Sequence, residues 1–225
     1  MEFFNLDVIH DYGFALLRGL VLTIVLTLIV IALSLCLAVP VALCRMSRNI
    51  AVRTPASIYV EVIRGTPLLL QLVYIYYVLP TMGINLNGFV AAVLGLTLNY
   101  TAYMSEVYRG GILAVPRNQW EAAATVGLSR ARTFQRIILP QALRIVTPTL
   151  GNYFISLFKD TALASVVTVQ ELTFTGQIVS ARSYQYFTVY TVTGLLYLAV
   201  GYPSALFVKW LEKRAQRGHR LERPA

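Results

Sequence analysis

The chain has 225 residues, of which 57% are hydrophobic and 13% charged, with a formal net charge of +9. That apolar share, laid out in long uncharged runs, excludes an ordinary soluble domain. The basic excess does not form a nucleic-acid patch: most of the Lys and Arg fall in three stretches, 45–53, 109–144 and 209–223, with apolar sequence between them.

A helix needs roughly 20 apolar residues to cross a ~30 Å hydrocarbon core. Residues 19–44, 65–105 and 183–208 contain no Asp, Glu, Lys or Arg. The segment 1–17 is acidic (Glu2, Asp7, Asp11) and has apolar positions at Phe4, Val8, Ile9 and Phe14, which suits a short interfacial helix outside the membrane. It lacks the basic start of a signal peptide, so the first apolar run, about 19–44, reads as a retained span. Cys36 and Cys44 lie eight residues apart on it. At a rise of ~1.5 Å per residue they are ~12 Å apart, too far for a disulfide, and they read as packing residues.

The second span is expected at about 57–79. Near its start Glu61 and Arg64 are three apart, a spacing that suits a same-face ion pair. Gly65 and Pro67 then interrupt the helix. Unwound backbone at membrane depth is tolerated only against protein or a water-filled cavity. Arg64, Thr66 and Gln71 are therefore candidates to line a pathway or gate, with a structural kink as the competing reading. The polar turn 81–88 separates this span from a third at about 89–108, near whose end Glu106 and Arg109 are spaced as a structural ion pair.

Residues 109–145 form a polar, basic loop of helical character, bracketed by Pro116 and Pro140. A short helix opens at Asn118 or Gln119 and stops at Gly127. Glu121 near its start favours the helix dipole and offers a charge to a basic partner, while Ala122, Ala123 and Ala124 let it sit flush in a groove. A second helix follows from Ser129, and Leu139-Pro140 turns the chain back to the membrane.

The fourth span is expected at about 146–169 and the fifth at about 187–209, joined by the segment 171–186. Lys159 and Asp160 fall well inside the fourth. Adjacent helical residues do not face each other, so each needs a partner elsewhere: Lys159 a carboxylate on a neighbouring helix, Asp160 an ammonium group on a solute. Asp160 and Thr161 are accordingly candidates for the pathway. Tyr74, Tyr76, Tyr77, Tyr184, Tyr186 and Tyr190 lie near span ends as interfacial belt residues. The positive-inside rule puts the three basic stretches in the cytoplasm, the N-terminus outside and the C-terminus inside; the tail from Lys213 reads as a headgroup-touching anchor. The fold class is an all-α membrane protein of five spans in one domain, 1–225.

The loop matches a fixed pattern: Glu121-Ala-Ala123, Gly127, then Ile137-x-Leu139-Pro140. Beyond it stand Arg64-Gly-Thr-Pro67 followed by Leu-Leu-Leu-Gln71, then Tyr103, Glu106, Arg109-Gly-Gly-Ile112, Pro140-Gln-Ala142 and Lys159-Asp-Thr-Ala-Leu163. Over nearly its whole length the chain resembles a permease of the polar amino-acid ABC importers, the histidine/glutamine/arginine/opine group. That family most often has Ser where this chain has Ala162.

The resemblance implies a type I importer fold in a bacterial cytoplasmic membrane. Loop 109–145 would be the coupling helix segment, with Glu121, Ala122, Ala123, Gly127, Leu139 and Pro140 meeting a separate ATPase. The implied partners are two ATPase subunits that carry ATP and Mg, a second permease copy or sister permease, an external solute-binding protein and a small polar amino acid. The chain has no G-x-x-x-x-G-K-[ST] phosphate loop, so no cofactor is expected in it. An enzyme is disfavoured, since the only histidines are His10 and His219 and no nucleophile–base set or metal-ligand cluster appears. The alternative is an ion-coupled secondary transporter with its ion site around Asp160.

Overall fold

The computed structural model describes residues 5–216. Glu2, Phe4 and the basic tail beyond 216 lie outside the described residues.

Helix α1 runs unbroken over Leu6–Arg45, opened by the Asn5 side chain, which accepts from the Asp7 N–H at 2.8 Å. Of the separate interfacial helix expected over 1–17, residues 6–17 are instead the opening turns of α1. No proline or turn interrupts those residues, and Val8 packs there against Val179 and Val189 of later helices.

Helices α2 (Ile50–Arg64) and α3 (Leu68–Val73) are two arms of one bent element. The chain turns by 106° between them and continues beyond α3 through a π-helical turn, Tyr74–Val78, and a 3-10 turn, Leu79–Met82. Pro67 supplies no N–H at the break and sits at the N-cap of α3 in extended conformation.

Helix α4 (Gly88–Ala114) is the central post and packs against α1, α2, α3 and α7. Its contacts depend on missing side chains. A Cβ at Gly88 would overlap the Val167 carbonyl oxygen, and one at Gly95 would fall 2.7 Å from Leu72. Leu26, Val30, Leu72, Leu96, Met104 and Leu157 form the dry centre around this post.

The short helix α5 (Arg117–Thr125) is followed by α6 (Arg130–Thr133), capped by Ser129. A π-helical turn, Phe134–Ile138, then leads directly into α7 (Leu139–Asp160). The expected reversal at Leu139-Pro140 does not occur. Pro140 lies in the first turn of α7, and the wider π turn before it accommodates its ring and its missing N–H.

The helix expected to reach residue 169 stops at Asp160. A tighter 3-10 segment, Thr161–Val167, continues the chain to Thr168, which has a left-handed φ of 64°. The connection 171–186 is itself mostly helix, α8 (Leu172–Ser183), lying against α1 and α9. Helix α9 covers Tyr186–Gln216. By length and composition α1 and α9 can each cross a bilayer, and the bent α2–α3 element makes a third candidate. The spans expected at 89–108 and 146–169 correspond to α4, which buries Thr97, Asn99, Thr101 and Ser105, and to α7, which leaves Arg144, Thr149, Asn152 and Lys159 exposed.

Candidate functional site

The α2–α3 break opens a cavity of about 480 Å³. Arg64, Gly65, Thr66 and Pro67 form one wall, Asn99, Tyr100 and Tyr103 of α4 a second, and Tyr153, Ser156 and Asp160 of α7 a third. Three helices meet there because each departs from plain apolar packing at the same level. α2 ends, α4 carries Asn99, Tyr100 and Tyr103 along one side, and α7 reaches its last turn at Asp160.

The break is held by side-chain bonds that replace the lost helical ones. Gln71 Nε2 donates to the Ile63 carbonyl (2.8 Å), the Thr66 carbonyl (3.1 Å) and Thr66 Oγ1 (2.8 Å). Gln71 Oε1 accepts from Asn99 Nδ2 at 3.1 Å, which ties the break to α4. Gln71 thus sits behind the wall that Thr66 and Asn99 present. Thr161 also lies off the wall: it is fully buried, and its hydroxyl donates to the Phe158 carbonyl at 2.7 Å.

Asp160 accepts from the Tyr100 hydroxyl at 2.6 Å. The Tyr100 and Tyr103 rings each approach Tyr153 at 6.2 Å between centroids, and the Arg64 guanidinium lies over the Tyr103 ring at 5.3 Å. A row of three tyrosines therefore has a carboxylate at one end and a guanidinium at the other. Tyr100, Asn99, Tyr153 and Ser156 escaped the sequence reading. Their signal was polar side chains in apolar stretches, which an interfacial or packing role explains equally well.

Beneath the cavity lies an ion network. Glu106 accepts from Arg109 at 2.9 to 3.2 Å and from Arg45 at 2.6 Å. The expected Glu106–Arg109 pair is present, whereas Glu61 and Arg64 do not pair. Glu61 is held by Arg45 at 2.9 Å, and Arg64 Nη1 stands 3.9 Å from Glu106. The reason is Arg45: the end of α1 enters between α2 and α4 and captures both carboxylates, although its sequence position suggested only a topology charge. Lys159 is exposed and has no ion-pair partner among the described residues, because its side chain leaves α7 away from the neighbouring helices that were expected to supply one.

The loop elements α5 and α6 stand apart from this cavity. Ala123 is buried against the molecule, while Glu121, Ala122 and Ala124 are exposed. The helix closes with Gly127 N–H donating to Ala124 and Leu128 N–H to Ala123, and Gly127 adopts φ +76°, a left-handed turn that glycine reaches without strain. Leu139 is partly covered and Pro140 exposed. Ile112, Val115, Ile138 and Ala142, flanked by Trp120, Phe134 and Ile137, form a small core that fixes α5 beneath α4 and α7.

A second polar cluster joins α8 to α1 and α9. Glu171 is fully buried and caps α8 by accepting from the Thr173 and Phe174 N–H groups at 2.8 Å each. It also accepts from the Tyr197 hydroxyl at 2.9 Å and from Thr23 at 3.5 Å. Burial pushes its carboxyl above the usual range, against the opposing pull of those hydrogen bonds.

A family model described as a binding-protein-dependent transport system inner membrane component matches residues 34–217. The chain belongs to this family. Among relatives of this transport-system component, the L-cystine transport system permease protein TcyB of Bacillus subtilis is 42% identical, covering 88% of this chain and 86% of its own length. The octopine transport system permease protein OccM of Rhizobium radiobacter is 36% identical, over 92% and 89%. A solved structure of an amino acid ABC transporter with histidines superposes with a TM-score of 0.86 at 35% identity, covering 92% of this chain and 96% of that one. An inward-facing MetNI methionine ABC transporter shares the fold, with a TM-score of 0.72 at 19% identity over 89% and 98%.

Proposed function

We propose that this component is the permease subunit of an ATP-driven importer that moves a polar amino acid inward by alternating access. In this reading α1, the α2–α3 element, α4, α7 and α9 are five spans, with the N-terminus outside and the C-terminus in the cytoplasm of a bacterial inner membrane. A separate ATPase docks on α5, a second permease completes the pathway, and an external binding protein delivers the solute.

One observation carries the substrate reading: a single cavity lined by Asp160, Arg64 and neutral hydrogen-bonding groups, in the position where three helices are interrupted or polar. A carboxylate and a guanidinium in one cavity match a solute bearing both an ammonium and a carboxylate. Asp160, oriented by Tyr100, takes the cationic end. The exposed small-residue face of α5 supports its role as the coupling helix, and relatives named for cystine, glutamine and octopine support an amino-acid cargo. ATP closing the ATPase pair would move α5, and the helices packed on it would rock about the cavity.

The test is uptake into proteoliposomes that hold this chain with its co-purified ATPase and binding protein. ATP-dependent accumulation, lost in Asp160→Asn with assembly intact, supports the reading. Uptake that persists with a hydrolysis-dead ATPase favours the ion-coupled alternative instead.

A further inference from the structure

The C-terminal end of α9 gathers cations around an exposed indole. Val208 is buried and fills the space that a side chain at Gly151 of α7 would take, which fixes the rotation of α9. Lys209, Trp210, Lys213 and Arg214 stand on the outward side of the same turns and are exposed. The Phe207 and Trp210 rings stack at 5.9 Å between centroids, and the Arg214 guanidinium lies 5.3 Å from the Trp210 ring centre. Arg214 therefore rests its flat face on the indole and keeps its N–H edge open. Glu212, the only acid among residues 205–216, is half-buried, and none of the three cations makes an ion pair among the described residues. Earlier in the helix the outward face is apolar, with Tyr202, Leu206 and Phe207 exposed.

From this arrangement we infer that the end of α9 is a binding site for an anionic phospholipid, one whose phosphodiester headgroup carries net negative charge, such as phosphatidylglycerol. The apolar face lies along the acyl chains, Trp210 sits at headgroup level where an amphipathic ring is favoured, and Lys209, Lys213 and Arg214 bring their charge to the phosphate. Three cations without an acid partner select an anionic headgroup over a zwitterionic one, whose own ammonium they repel. Arg214, held flat by Trp210, offers the phosphate two parallel N–H donors. Bound there, the lipid holds α9 at the bilayer edge, and with it α7 through the contact of Val208 with Gly151. The site rests on α9 being a span, as read above, and is independent of the cargo.

The test follows Trp210 fluorescence in the full chain reconstituted into phosphatidylcholine vesicles. The chain has two tryptophans, so Trp120→Phe leaves Trp210 as the sole reporter. A minor fraction of the lipid is replaced by phosphatidylglycerol, or by phosphatidylcholine, brominated on the upper acyl carbons. Bromine quenches only an indole that it approaches closely, so the ratio of quenching by the two lipids reads which one gathers at Trp210. One cation engaged on a headgroup is worth about fivefold, and the expected preference for phosphatidylglycerol is about fivefold or more. Lys209→Gln, Lys213→Gln and Arg214→Gln together bring it to within about twofold of unity, with quenching by brominated phosphatidylcholine retained. Arg48→Gln with Arg53→Gln, which removes exposed cations from another part of the chain, leaves the preference as it was.

A preference near unity in the parent chain overturns the inference and leaves α9 as a span. An equal loss in the Arg48 and Arg53 variant also overturns it, since overall charge and not this site then attracts the lipid. Quenching that appears only when the protein is diluted in lipid shows a second copy of the chain seated on this face, and overturns the inference alone. If neither brominated lipid quenches Trp210 at any dilution, α9 does not bring this face to the bilayer, and the span reading falls together with the site. Should Trp120→Phe fail to fold, the unmodified chain decides by the same ratio, with Trp210→Phe as its blank.

Discussion

Replacing Glu171 by Ala tests how α8 is secured to the rest of the molecule. The substitution removes an N-cap that serves two backbone N–H groups, worth about 1 kcal/mol. It also removes the acceptor of the Tyr197 hydroxyl at 2.9 Å, a hydrogen bond worth about 1 kcal/mol. Tyr197 keeps its contact with Thr173 at 2.8 Å, so its hydroxyl is not orphaned. Releasing a fully buried carboxylate offsets part of the loss. The net expectation is about 1–2 kcal/mol, or a fall in melting temperature of about 2–8 °C for a chain of this size.

Glu171→Gln keeps the shape and one acceptor oxygen and loses about half as much. The pH dependence separates the two effects. The folded-state pKa is raised, so between about 4.3 and the folded value the native state holds a proton that the unfolded chain has lost. Stability from this group is therefore greatest below the ordinary carboxylate range and falls as pH rises through that window. Thermal unfolding in detergent, followed from pH 4.5 to 7.5 in about half-unit steps, should show the wild type losing ground to Glu171→Gln. An Ala variant that melts within about 1 °C of the wild type would refute the capping argument. A wild type that gains on Gln as pH rises would refute the assignment of burial as the dominant cause.

Further outcomes follow from single contacts. Gly88→Ala drives a methyl into the Val167 carbonyl and should lower the melting temperature by several degrees, whereas Gly110→Ala, with open space around it inside α4, should raise it slightly. Gly127→Ala meets no atom within 4 Å, so its cost, about 1–2 kcal/mol, is conformational alone. It should lower transport-coupled ATP hydrolysis without changing assembly on a sizing column, and normal coupling would argue against α5 as the coupling element. Tyr100→Phe removes the hydroxyl that orients Asp160 and should raise the apparent KM for uptake by about tenfold, with assembly kept. An unchanged KM would separate Asp160 from solute binding.

Helical class, the break at Gly65–Pro67 and the end of α5 at Gly127 were legible in the chain, because each depends on near neighbours: apolar run length, a missing proline N–H, a left-handed turn open to glycine. The loop pattern and the Arg64-Gly-Thr-Pro67 motif carried the family resemblance for the same reason. Pairings were not legible. Spacing alone suggested Glu61 with Arg64, but Arg45 arrives from another helix and takes both carboxylates. Which side of a helix meets a neighbour also depends on the whole packing: Thr161 looked like a pathway residue and turned inward, while Lys159 next to Asp160 turned out. The run 146–169 was apolar enough to read as one span, yet the helix ends at Asp160, where α7 meets the polar wall of α4, and a 3-10 segment continues. By itself the sequence determined that this is a helical membrane protein with a polar insertion and one broken helix, since hydrophobic length and backbone chemistry are local properties. Only the tertiary structure decided that Arg64, Tyr100 and Asp160 share a cavity, because charges tens of residues apart choose their partners only after the helices have packed.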